Sequence, residues 1–132
     1  MSGQSVVDDP HSSASLDPEV LAVRDFGNRQ EHDLRVPTQL GCWPGHFEAA
    51  SIVPGVVQVQ WVVRVIERWT GKRAEIQTLE ALKFKRPLLP GREVTLAVDH
   101  DPERTTFRFQ IGDATGPYSM GRLILDYRED RS

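Results

Sequence analysis

The chain has 132 residues, 39% hydrophobic and 27% charged, enough for one globular domain with a sizeable core. Its net charge of −3, with no long basic run, gives nucleic acid no electrostatic hold, and no apolar stretch is long enough to span a bilayer. A single cysteine, Cys42, excludes an internal disulfide and a multi-cysteine metal site, and no metal is expected.

Residues 1–17 are rich in Ser, Asp and Gly and read as a flexible N-terminal tail ahead of a single domain over 18–132. The start has no basic segment followed by an apolar core, so no secretory signal is read and the cytoplasm is the expected location. Val20 to Phe26 reads as a strand and Gly27-Asn28 as a turn. Glu31 to Val36 follows as a second strand with Leu34 and Val36 inward. Pro37 to Gly45 is a loop around Cys42 and Trp43. Pro54 to Trp69 reads as a helix whose polar residues, Gln60, Arg64, Glu67 and Arg68, form only a narrow stripe, so it should be enclosed. Valine is a mediocre helix former, so burial must hold this segment until Thr70-Gly71-Lys72 ends it. Strands follow over Ile76 to Phe84, around Val94, Leu96 and Val98, around Phe107, Phe109 and Ile111, and from Tyr118 to Tyr127. Asp101 to Arg104 and Gly112 to Pro117 are read as turns. The fold class is α+β, an antiparallel β-sheet wrapped around one long central helix.

One stretch carries chemistry. His46 lies in a Gly-flanked loop shortly before Pro54-Gly55, where the helix begins. Proline suits a first helical turn, and glycine admits close approach to the backbone. The free amides of that turn, at the positive end of the helix dipole, would receive a developing enolate oxygen, while His46 takes a proton from the adjacent carbon. A lone histidine is more often a loop residue without a role; its placement between Gly45 and a Pro-Gly helix start favours the base. His11, His32 and His100, read in the tail, a strand and a turn, are given no role. Cys42 has no basic neighbour and reads as a buried thiol. Trp43, Trp61 and Trp69 are candidates for an acyl tunnel, with core packing and dimer contact the better reading for Trp61 and Trp69.

Gly45-His46-Phe47 with Pro54-Gly55-Val56 resembles the Gly-His-Phe-Pro-Gly…Pro-Gly-Val motif of the β-hydroxyacyl-acyl-carrier-protein dehydratases. Lys83-Phe84-Lys85-Arg86-Pro87 with Pro90-Gly91 resembles their Phe-Arg-Arg-Pro-Val-x-Pro-Gly strand, and Val57-Gln58-Val59-x-Trp61 is similar to the aryl-polyene branch. The resemblance implies a hot-dog fold that dehydrates a 3-hydroxyacyl thioester of acyl carrier protein or coenzyme A without a cofactor. It also implies at least a homodimer, or a pairing with another hot-dog chain. His46 matches the catalytic histidine. Pro54, Gly55 and Val56, with Phe47, match the carbonyl-binding site. The family's acidic residue, supplied by the partner's helix, falls on Gln60, and Glu48-Ala49 stands where the family has Pro-Gly.

An amide cannot donate and recover a proton as a carboxyl group does. Gln60 therefore orients a water or the hydroxyl while His46 shuttles the proton alone, or marks a protein that binds acyl chains without dehydrating them, or leaves the acid to another residue. Glu48 is the nearest substitute in sequence; Glu67 is two turns along the helix, roughly 10 Å away and too far for direct replacement. Lys83, Lys85 and Arg86, with Arg92, are candidate contacts for an acidic carrier protein or simply solvated charges. The rival activities are a hot-dog thioesterase and a non-catalytic acyl-binding partner subunit.

Overall fold

A computed structural model describes residues 17–38 and 52–128. Strands β1 (Glu19–Asp25) and β2 (Arg29–Arg35) precede helix α1 (Gly55–Thr70). Strands β3 (Arg73–Phe84), β4 (Glu93–His100), β5 (Thr106–Asp113) and β6 (Gly116–Arg128) follow it. All six strands pair antiparallel in the order β1-β2-β4-β5-β6-β3. The helix lies against the inner face. Alternation sets that face: Leu34, Leu96, Val98, Phe107, Ile111, Leu123 and Leu125 are buried, while Asp99, Arg108 and Gln110 between them point out. From the helix, Val57, Val59, Trp61, Val62, Val65 and Ile66 complete the core. Gly71 ends the helix in the left-handed region (φ 73°), its amide donating to the Glu67 carbonyl at 2.8 Å.

Two departures from simple alternation matter. Strand β3 carries bulges between Ile76 and Thr78 and between Glu80 and Lys83, with Ala81 at φ 53° inside the second. The extra residue lets Glu80 and Lys83 both face outward, opposite Arg122 and Met120, while Phe84 returns to the inner face opposite Ser119. His100, expected in a turn, instead ends β4. Its ring continues the inward row of Val94, Leu96 and Val98 and stacks on Phe107 at 4.2 Å between centroids, with Trp69 edge-on to both.

Candidate functional site

The helix begins without a side-chain cap. Pro54 stands at the cap position in an extended conformation (φ −61°, ψ 148°), offers no acceptor side chain, and the first turn holds no acidic residue. Its carbonyl accepts the amides of Val57 and Gln58 at 3.1 and 3.2 Å. The Gly55 and Val56 amides have no acceptor among the described residues, so two donors remain at the positive end of the dipole.

Gly55 is explained by its neighbour. A Cβ there would lie 2.6 Å from the tip of the Phe84 ring, so on that side the space is filled by this chain's own aromatic residue. The Lys83–Gly91 stretch thus meets the Pro54-Gly55 turn directly. Its continuation also holds Val36 and Val53. Val53 donates to the Leu88 carbonyl at 2.8 Å, Gly91 donates to Val36 at 3.0 Å, and Val36 donates to Arg92 at 2.8 Å. Val36 and Val53 are therefore both tied to the stretch from Leu88 to Arg92. His46, Phe47 and Glu48, together with Cys42 and Trp43, lie outside the described residues.

Val56 and Gln60, one turn apart, share the exposed face of α1. Gln60, Val63, Arg64 and Glu67 line a groove of about 440 Å³ shared with Ala74, Glu75 and Ile76 of β3. Glu67 is committed there, since its carboxylate accepts the Ala74 amide at 2.9 Å. Gln58 was not singled out from sequence, yet it is 3% exposed inside the core. It donates to the Val53 carbonyl at 3.1 Å, holding the approach to the helix, and its Oε1 is buried without a partner among the described residues, as is Ser119 Oγ. The available signal was its place one turn before Val62 and two before Ile66, on a buried row. Trp61 is 2% exposed in the core, and Trp69 packs against it.

The candidate carrier contacts differ in environment. Lys83 and Lys85 are exposed, whereas Arg86 donates to Asp113 at 3.0 Å and to the Gly116 carbonyl at 2.7 Å, over the Tyr118 ring. Hydrogen bonds from Thr115 and Tyr118, then Arg86, hold the Asp113 carboxyl well below the ordinary carboxylate range. Arg86 thereby fastens β5 and β6 to the end of β3. His32, given no role from sequence, is buried with its Nε2 against Gln30 at 2.9 Å. Burial, and then the charge of Arg68, hold its pKa down. No cluster of three or more His, Cys, Asp or Glu suited to a metal occurs among the described residues.

The profile of the ApeI-like family, described as ApeI dehydratase, matches residues 23–122. A 3-hydroxyacyl-[acyl-carrier-protein] dehydratase FabZ of Erythrobacter litoralis is 30% identical over 73% of this chain and 70% of its own length. The FabZ of Actinobacillus succinogenes is 33% identical, but over only 56% of this chain and 55% of that enzyme. Among solved structures, the dehydratase heterocomplex ApeI:P from Xenorhabdus doucetiae superposes with a TM-score of 0.73 at 24% identity, covering 83% of this chain and 97% of that one. The PaaI protein of Escherichia coli shares the fold at a TM-score of 0.61 and 13% identity, covering 89% and 83%. Fold and sequence agree: the chain is a hot-dog protein and belongs to the ApeI-like dehydratase family.

Proposed function

We propose that the protein removes water from a 3-hydroxyacyl thioester to give the trans-2-enoyl thioester, with the acyl group on an acyl carrier protein in a fatty-acid, polyketide or aryl-polyene pathway of the cytoplasm. The supporting observation is the uncapped start of α1. The Gly55 and Val56 amides have no acceptor among the described residues, Gly55 lies against Phe84, and Val36 and Val53 are both hydrogen-bonded to the stretch that follows Phe84. His46 takes the proton from C2, and the electron pair moves onto the thioester oxygen held by the two amides. As the enolate collapses, the C3–O bond breaks, and the hydroxyl leaves as water with the proton His46 returns. Pro54 and Phe47 shape the acyl-binding surface, and Gln60 from a second copy orients the leaving hydroxyl. Glu48 is the substitute acid to test if Gln60 proves insufficient.

The second copy would dock on β3, an edge of the sheet that the described residues form. Ile76, Leu79 and Phe84 are exposed along it, beside the groove that Gln60 lines. An amide where the family resemblance implies a carboxyl group favours one rival, a non-catalytic acyl-binding subunit that completes its site with another hot-dog chain. Incubation with 3-hydroxyacyl thioesters, followed by mass spectrometry, separates the readings. Loss of one water supports the dehydratase, a free acid supports a thioesterase, and unchanged substrate supports the binding subunit.

A further inference from the structure

Gln58 is a polar side chain at a position the core would otherwise fill with an apolar one. It shares the inward row of α1 with Val62 and Ile66 and is 3% exposed. Its Nε2 donates to the Val53 carbonyl at 3.1 Å, and its Oε1 is buried with no partner among the described residues. Turning the amide over would set Oε1 against the Val53 oxygen, so the acceptor it meets fixes which end donates. A buried acceptor left unpaired costs stability, and a methionine of similar length would fill the same space without one. What the amide adds to the core is its single bond to Val53.

That bond falls on the turn that aims the free amides. Gln58 grips the turn twice, its backbone amide on the Pro54 carbonyl at 3.2 Å and its side chain on the Val53 carbonyl at 3.1 Å. These two carbonyls belong to the peptide planes on either side of Pro54, whose ring already fixes φ. With both planes held, Pro54 keeps one conformation (φ −61°, ψ 148°). The Gly55 amide lies in the same plane as the Pro54 carbonyl, so its direction is set as well. The Val53 amide donates to the Leu88 carbonyl at 2.8 Å, which ties the turn from the other side. Glycine at 55 would otherwise leave this stretch free to turn, and Pro54 brings no side-chain cap to steady it.

We propose that Gln58 is a positioning residue for the reaction, holding the turn so that the Gly55 and Val56 amides point at the thioester oxygen. Its effect on turnover rests on the dehydratase reading; its hold on the turn rests on the hydrogen bonds alone. Gln58→Met removes the donor and keeps the bulk. It exchanges one unpartnered acceptor for another, the Val53 carbonyl, so its urea midpoint should stay near that of the unaltered protein. Hydrogen exchange read by NMR should be about tenfold faster or more at Val57 and position 58, whose amides bond to Pro54, and unchanged at Val62 and Val65. The kcat for enoyl formation should fall at least about tenfold with KM little changed, since misaimed donors act chiefly on the developing enolate. Gln58→Glu tests the donor itself, because only a neutral carboxyl group can donate to Val53. Its kcat per folded molecule should recover as pH falls from about 8 to about 5.5, burial having raised the carboxyl pKa. Each value is taken relative to the unaltered protein at the same pH, which cancels the titration of His46, with the folded fraction read by circular dichroism. Gln58→Met should show no such recovery. The assignment is overturned by a Gln58→Met protein with the original kcat, by unchanged exchange at Val57, or by pH profiles that coincide for the two variants. Failure of the unaltered chain to form enoyl product would remove the dehydratase reading, and the exchange rates would still decide whether Gln58 holds the turn.

Discussion

In the proposed reaction Gln60 decides what the site can do, because the family resemblance sets this amide at the position of a proton donor. Replacing it with glutamate restores a group able to give and regain a proton, and general acid catalysis is worth about 10²-fold or more where the geometry is right. Gln60→Glu should therefore raise the rate of enoyl formation by at least about tenfold, read by mass spectrometry or absorbance of the enoyl thioester. An unchanged rate would mean the amide is not beside the hydroxyl. His32 yields a prediction about acid. Its folded-state pKa is depressed, chiefly by burial and next by Arg68, with Asp33 opposing. The unfolded chain accepts the proton first, so its contribution to stability is complete above about pH 6.5 and is lost as pH falls through the folded value. Urea midpoints measured from about pH 7.5 down to about 5.5 should decline, and His32→Gln should flatten that decline; parallel curves would contradict it. The Pro54-Gly55 start of the helix was legible from its punctuation, whereas the role given to Gln60 came through the family resemblance and His46 lies outside the described residues. Gln58 and Phe84 were not legible, because burying an amide and filling the space beside a glycine are tertiary facts.

The elements were legible where one periodicity dominates. Helix α1 begins and ends within a residue of its reading, because Pro54 and Gly71 punctuate a long apolar run. Strands β4 and β5 follow from strict alternation. Strand β3 was legible only as a strand. A bulge inserts a residue without altering composition, so alternation could not show which face Lys83 would occupy. Packing of β5 on β6 depends on Gly121, where a Cβ would lie 2.9 Å from the Phe109 ring and 3.1 Å from Leu82. Both neighbours sit in or against the core, so Gly121→Ala should destabilise the protein by about 1–3 kcal/mol in urea unfolding. A neutral effect would show that Phe109 moves aside freely.

At the scale of the molecule, the sheet formed by the described residues ends at β1 and β3, and of these two β3 borders the groove that Gln60 lines. Pairing of two copies along β3 would cover Ile76 and Leu79, now 40% and 38% exposed. Leu79→Lys, set on that edge, should shift the protein toward monomer in light scattering and lower its turnover together. A monomer with full activity would detach the site from the second copy. Sequence alone showed the sheet wrapped on a helix but not its strand order, because β3 reaches its place beside β6 by pairing with the far end of the chain.

The most direct test of the account compares the intact protein with His46→Ala on one 3-hydroxyacyl thioester, with light scattering to verify that both have the same subunit composition. The account predicts a water-loss product from the intact protein and none above background from the variant. Equal enoyl product from both would contradict it.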